Sequence, residues 1–193
     1  RDLKGLHAVV TAGPTREPLD PVRFITSRAT GKQGYALAAA LAARGAKVTL
    51  VSGPTELATP AGVLRIDVES TEQMLGMTLA VAAESQLFIG TAAVADYRAV
   101  DIALQKIKKA GESMRLELRK NPDITAAVRA AQPKLFMVEF TAETEDLAAR
   151  AQTLLAAKQL QLVAANAIGS GQGFGQDHNA VELFWPQIGR AHV

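Results

Sequence analysis

Short apolar runs bounded by turn residues alternate with longer helix-patterned segments along nearly the whole chain, and this alternation constrains the fold more than any single motif. His7–Ala12 (HAVVTA) and Lys47–Val51 (KVTLV) read as buried strands. Between them, Gly34–Arg44 (GYALAAALAAR) is rich in the strong helix formers alanine and leucine, and Gly45 supplies a C-terminal stop. Strand, helix and strand in so short a stretch make a βαβ unit. Its first connection is long, because Gly13–Thr30 contains three prolines that forbid an early helix.

A second series follows. Val63–Val68 reads as a strand, Thr71–Ser85 as a helix capped by Ser70 or Thr71, and Leu87–Gly90 (LFIG) as a strand. Ser113–Arg119 alternates like an exposed strand, and Pro122 opens a helix over Asp123–Ala131. Leu135–Phe140 is the next expected strand, Thr144–Lys158 the next helix and Leu160–Ala165 the next strand. A glycine-rich turn, Gly169–Gly175, precedes a last strand over Ala180–Trp185. The chain shows no internal repeat, low-complexity tract or linker. The expectation is one α/β domain over residues 1–193, Rossmann-like and doubly wound, with a mainly parallel sheet and helices on both faces.

Composition narrows what such a domain does. The chain has no cysteine, which excludes a disulfide scaffold, a thiolate zinc site, an iron–sulfur cluster and a cysteine nucleophile. His7, His178 and His192 are too scattered to suggest a histidine metal cage. A net charge of only +2 with 5% aromatic residues argues against a nucleic-acid partner. No apolar run has the length of a membrane span, and Arg1–Gly5 is no signal peptide, so no membrane association and a cytoplasmic location are expected. The opening at Arg1 without a methionine suggests a segment of a longer chain.

Ligands of open α/β sheets bind outside the carboxyl ends of the strands, which directs attention to the loops there. Thr11–Glu17 (TAGPTRE) follows the first strand, but the G-x-G-x-x-G pattern of a dinucleotide site is absent. Thr26–Gly34 (TSRATGKQG) opens the first helix, where free backbone N–H groups with Thr30, Gly31 and Lys32 suit an anion; ordinary helix capping is the competing reading. Thr91–Arg98 (TAAVADYR) places small residues and one acid, Asp96, at a strand end, either as a ligand group or as an Asx turn. Lys106, Lys108 and Lys109 lie in a stretch without apolar period. They form either a solvated face or a lid whose charges meet a polyphosphate. Capping explains Asn121–Ile124 (NPDI); Phe140 is either core or a stacking platform; Gly173–Asn179 (GFGQDHN) is consistent with a plain turn.

Taken in order, TAGPTREPLDPVRFIT, TGKQG, AAVADYR, KIKK, KNPDI, AN followed by GFG-x-D-x-N, and LFW resemble the phosphopantothenoylcysteine synthetases, the phosphopantothenate-cysteine ligases of coenzyme A biosynthesis. The resemblance runs from about Leu6 to Trp185. It implies a nucleotide-binding ligase domain, in most bacteria the C-terminal half of a bifunctional protein whose N-terminal half is a flavin-dependent decarboxylase; no flavin is expected in this segment. It further implies that the carboxylate of 4'-phosphopantothenate attacks the α-phosphate of CTP, releasing pyrophosphate, and that L-cysteine then displaces CMP from the acyl cytidylate.

Carried over by position, the resemblance implies that the backbone around Ala92 and Ala93 reads the cytosine edge and that Phe140 packs against the nucleotide. Asp96 would help to hold Mg2+, Lys106 would belong to a flexible catalytic flap, and Thr30, Gly31 and Lys32 would lie near phosphates. Asn121, Pro122, Asp123, Ile124 and Lys158 would supply further nucleotide contacts. A homodimer whose active site draws on both subunits is implied as well. The chain departs from the family in having Ser27 where an asparagine serves the acyl cytidylate, Leu154 where a lysine is usual, and Glu139 where a glycine precedes the phenylalanine. Those departures keep two alternatives in view: a nucleotide-binding paralogue with impaired turnover, and a ligase for another acid and amine.

Overall fold

The computed structural model describes residues 1–167 and 180–186. In chain order the elements are β1 (His7–Ala12), β2 (Glu17–Pro18), β3 (Phe24–Ile25), α1 (Lys32–Ala43), β4 (Lys47–Ser52), β5 (Val63–Asp67), α2 (Thr71–Ala82) and β6 (Leu87–Gly90). They continue with β7 (Tyr97–Ala99), β8 (Leu118–Lys120), α3 (Ile124–Ala131), β9 (Phe136–Glu143), α4 (Leu147–Lys158), β10 (Leu162–Ala167) and β11 (Glu182–Phe184).

Five of the six β1 residues are buried, as a strand walled by parallel neighbours and covered on both faces must be. It lies at the centre of a seven-stranded sheet of order β11-β10-β9-β6-β1-β4-β5. Six of these strands run parallel, and β11 adds an antiparallel edge. The sheet is therefore doubly wound: the chain builds outward from β1 through β4 and β5, then returns to build the other side through β6, β9 and β10. Alternate side chains enter two cores. Val10, Leu50 and Ile89 meet Tyr35 and Ala38 of α1 on one face; Val9, Phe88 and Met137 meet Met74 of α2, Val128 of α3 and Leu155 of α4 on the other. The expected fold class, with helices on both faces, is observed.

Several boundaries differ for identifiable reasons. The expected exposed strand over Ser113–Arg119 is reduced to Leu118–Lys120, which pairs antiparallel with β7 apart from the main sheet. Met114 and Leu116 alternate in sequence, yet both are exposed. β9 does not end at Phe140. Its last residues, Ala142 and Glu143, continue the ladder against Asn166 and Ala167 of β10, so the strand runs past its expected end. β10 starts at Leu162, because Leu160 still donates its N–H to Leu155 O, closing α4 through a left-handed Gln159. Ser70, rather than Thr71, caps α2, in a capping box with Gln73. The glycine-rich Gly169–Gly175 turn and the GFGQDHN segment lie outside the described residues. Among the described residues, no helix is long and apolar enough to cross a membrane.

Candidate active site

The topological switch between β1 and β6 opens a cleft of about 1150 Å3 at the carboxyl ends of the strands. Its first wall is the start of α1. Gly31 is the N-cap, with φ +83°, a conformation that L side chains rarely adopt; it has no side chain to cap α1, and the Thr30 hydroxyl accepts from Lys32 N–H at 3.4 Å. The capping reading of TSRATGKQG is met by that one long bond from Thr30, and the start of a helix also suits a negative charge. Gly34 brings this turn against β1. A methyl group there would stand 2.4 Å from both Ala12 Cβ and Thr91 Oγ1, so only glycine permits the approach.

The second wall is formed by the loops after β1 and β6, which continue side by side past the strands. Thr91 N–H donates to Thr11 O, Ala93 N–H donates to Gly13 O, and Ala93 O accepts from Thr15 N–H. Both backbone groups of Ala93 are thereby engaged, while Ala92 takes part in neither bond. The fully buried Thr15 accepts from Ala95 N–H at 2.9 Å, and the buried Glu17 accepts from Thr71 N–H at 2.8 Å at the start of α2. Asn121 completes the brace. Its amide donates to Thr71 Oγ1 and Ala95 O, and its carbonyl oxygen accepts from Arg98. Its side chain holds the Ala95–Asp96 loop against α2. None of these buried polar contacts carries a local sequence signal, because their partners lie tens of residues apart.

The third wall joins β9, α3 and α4. Asp123 caps α3 by accepting from Ala126 N–H at 2.9 Å. Its other oxygen lies 2.9 Å from Lys158 Nζ. Lys158 also donates to both Glu139 oxygens, at 2.8 and 3.0 Å. Burial is the strongest influence on each of the three groups. Burial would raise Asp123, but Ala126 N–H and Lys158 outweigh it and hold the carboxyl below its ordinary value. Burial pushes Glu139 up, an effect that Lys158 only partly offsets. Burial works against the Lys158 charge, yet the two carboxylates overcome it and hold the ammonium above its ordinary value.

Of the residues named from the sequence, Thr30, Gly31, Lys32, Ala92, Ala93, Asp96, Asn121, Pro122, Asp123, Ile124, Phe140 and Lys158 all line this cleft. Phe140 packs against one core and also lines the cleft. Asp96 is exposed, and among the described residues no three His, Asp or Glu side chains are grouped to hold a metal. Ser27 and Lys106 are absent from the lining. Ser27 is exposed, and its hydroxyl accepts from Ala29 N–H at 3.3 Å. Lys106 lies on the segment between β7 and β8, which the buried Asp20 anchors at the residue next to it: one oxygen accepts from Val22 and Arg23 N–H, the other from Ile107 N–H at 3.0 Å. Sequence reading missed this anchor, since nothing local distinguishes Asp20 from a solvated acid.

A family model for the DNA/pantothenate metabolism flavoprotein C-terminal domain matches residues 3–192. The chain is 47% identical to the Coenzyme A biosynthesis bifunctional protein CoaBC of Haemophilus influenzae over 96% of its own length and 46% of that protein. It is 48% identical to the corresponding protein of Escherichia coli over 95% of its length and 47% of that protein. The chain thus spans about half the length of the curated relatives it matches. A crystal structure of the C-terminal domain of a CoaBC protein superposes with a TM-score of 0.80 at 35% identity, covering 95% of this chain and 83% of that one. With a doubly wound sheet, a cleft at its switch point and a family match over nearly every residue, the chain belongs to the DNA/pantothenate metabolism flavoprotein C-terminal domain family.

Proposed function

We propose that this chain acts in coenzyme A biosynthesis as a phosphopantothenate-cysteine ligase, joining 4'-phosphopantothenate to L-cysteine at the expense of CTP. The single observation that carries the reading is the glycine-bounded start of α1, open to a cleft at the sheet's switch point. The cleft, at about 1150 Å3, exceeds the volume a nucleotide needs and leaves room for a second substrate. The relatives named for coenzyme A biosynthesis supply the substrate class.

In this reading the α1 N-terminus with Thr30, Gly31 and Lys32 receives phosphate, Ala92 presents backbone to the cytosine edge, and Phe140 packs on the nucleotide. Of the two alanines, Ala92 is the one whose groups are not already spent on the β1 loop. The substrate carboxylate attacks the α-phosphorus, the bond to the bridging oxygen of pyrophosphate breaks, and the amine of L-cysteine then displaces CMP. The protein's task is to bring two anions together and to meet the charge that develops. Lys106 is assigned that second role, and Ser27 a hydrogen bond to the acyl cytidylate. Asp96 is an oxygen donor at the cleft mouth, chemically suited to Mg2+, which commonly takes one or two carboxylates and completes its shell with substrate phosphates and water. When bound, Mg2+ supplies charge neutralisation at the phosphates.

Ser27 and Lys106 lie outside the cleft of their own chain, and the arms that carry them expose Val22, Phe24, Tyr97 and Leu104, the last at 94%. Apolar surface of this kind supports a homodimer in which a second copy covers the arms and contributes to each cleft. In the full-length protein a flavin-dependent decarboxylase domain is the proposed covalent partner.

Isotope exchange between pyrophosphate and CTP tests the reaction. Exchange that requires 4'-phosphopantothenate, with CMP formed on adding L-cysteine, is the expected result. Formation of CDP and phosphate overturns the acyl-cytidylate mechanism. Equal use of ATP overturns the assignment of the base, and exchange with a different acid alone moves the chain to another ligation.

A further inference from the structure

Lys158 stands where the β9, α3 and α4 walls of the cleft meet, and its hydrogen-bonding capacity is already taken. An ammonium has three N–H donors. Three acceptor oxygens lie within 3.0 Å of it: both oxygens of Glu139 and one of Asp123. Both Glu139 oxygens accept from the one ammonium, an arrangement that suits a carboxylate. The side chains of Lys158 and Glu139 are each only 15% exposed, so water is poorly placed to replace a lost partner. The three groups together carry one net negative charge. Arg150, also on the lining, lies 3.6 Å from a Glu143 oxygen. Two of the cleft's cations are therefore matched to β9 carboxylates before any ligand arrives.

We infer that Glu139 is a specificity-determining residue that competes with the phosphates of an entering nucleotide for Lys158, and so sets how tightly the cleft holds a polyphosphate. The inference rests on the reading of the cleft as a nucleotide site. Moving Lys158 from Glu139 to a phosphate would strand a buried carboxylate beside an anionic ligand, which is unfavourable twice over. Lys158 therefore stays with Glu139, and the pair as a unit adds little to phosphate binding. Glu139→Gln keeps the shape and one acceptor oxygen but removes the charge. Lys158 then retains Asp123 as its anchor while gaining a donor and an uncancelled charge to offer the ligand.

Calorimetric titration with cytidine, CMP and CTP, in excess Mg2+, tests this on the wild type, Glu139→Gln, Lys158→Gln and the double variant. Glu139→Gln is expected to bind CTP about tenfold more tightly or better, with the gain falling from CTP to CMP and vanishing for cytidine. Lys158→Gln should bind CTP more weakly than wild type, and the double variant should return to within about threefold of it. Unchanged or weaker binding in Glu139→Gln overturns the inference, as does a double variant no better than Lys158→Gln. Thermal melts check that each protein is folded, and Glu139→Ala, expected to change affinity in the same direction, replaces Glu139→Gln if the latter is not. Failure of every folded protein to bind any of the three ligands refutes the nucleotide reading and this inference with it; wild-type binding without the gain refutes the inference alone.

Discussion

Gly34→Ala sets two opposing effects against each other within α1. Replacing a helical glycine by alanine favours the helix by at most about 1 kcal/mol. The new methyl, however, would stand 2.4 Å from Ala12 Cβ and 2.4 Å from Thr91 Oγ1. Neither neighbour is free to yield. Ala12 is fully buried in β1, and the Thr91 hydroxyl is tied to Thr11 O at 2.7 Å. Relief to ordinary contact requires α1 to move by about 1 Å, and forced packing of that kind costs about 1 to 3 kcal/mol. The clash wins, with a net loss of about 1 to 2 kcal/mol and a fall in Tm of about 2 to 8 °C for a chain of this size. The same movement withdraws the α1 N-terminus from the cleft, so CTP affinity should fall by at least about tenfold. The comparison is Gly76→Ala in the middle of α2, where an added methyl meets nothing within 4 Å; it should raise stability by about 0.5 to 1 kcal/mol. Differential scanning calorimetry and a CTP titration read both quantities. A Gly34→Ala protein as stable as Gly76→Ala and unimpaired in CTP binding would refute the argument from close approach.

Lys106→Gln should lower turnover by about two to three orders of magnitude with the melting curve intact, since one donor to developing charge is commonly worth about 3 to 4 kcal/mol; wild-type turnover would make the segment a solvated face. Ser27→Asn should speed ligation without changing CTP affinity, because an amide restores both a donor and an acceptor on a longer arm; a quenched time course for acyl cytidylate and product reads this, and an unchanged rate removes Ser27 from the site. The Asp20 carboxyl is held below its ordinary value of 3.8, chiefly by Ile107 N–H and then by Val22 and Arg23 N–H. Its contribution to stability is therefore complete above that value and is lost as pH falls through the lower folded one. Asp20→Asn should flatten that acid limb in urea unfolding series and remove hydrogen-exchange protection at Ile107; a limb and a protection pattern like those of wild type would disprove the anchor.

What the sequence revealed follows from what is local. The buried runs HAVVTA and LFIG, the alanine-rich Gly34–Arg44 stretch and the βαβ alternation each declare themselves within a few residues, and the doubly wound sheet follows from them. The rule that ligands sit at carboxyl ends then led to several loops that meet at one cleft, those of Gly31, Ala92, Asn121 and Phe140, while the Lys106 segment stays outside its lining. Two kinds of feature stayed hidden. The β2–β3 pair and β7 have two or three residues per strand, too few to show a period, and they form where Glu17 and Pro18 meet Ile25 and Phe24, and where Tyr97 meets Lys120. Likewise the Glu139–Lys158–Asp123 group, the Glu17–Thr71 contact and the Asp20 anchor depend on residues that only the folded chain brings together. Thr144–Lys158 illustrates the limit at boundaries: its helical pattern is real, but pairing with β10 extends β9 to Glu143 and leaves the helix to begin at Leu147.

CTP is assigned to the cleft between the α1 N-terminus and the loop after β6, and amide hydrogen exchange on the wild-type protein with and without CTP reads that placement. Slowed exchange concentrated in residues 31–34 and 92–96 is the predicted result, because these residues line the cleft. Protection confined to residues 55–56 and 67–69, which border the smaller cleft of Arg16 and Arg65, or no protection at saturating CTP, would contradict it.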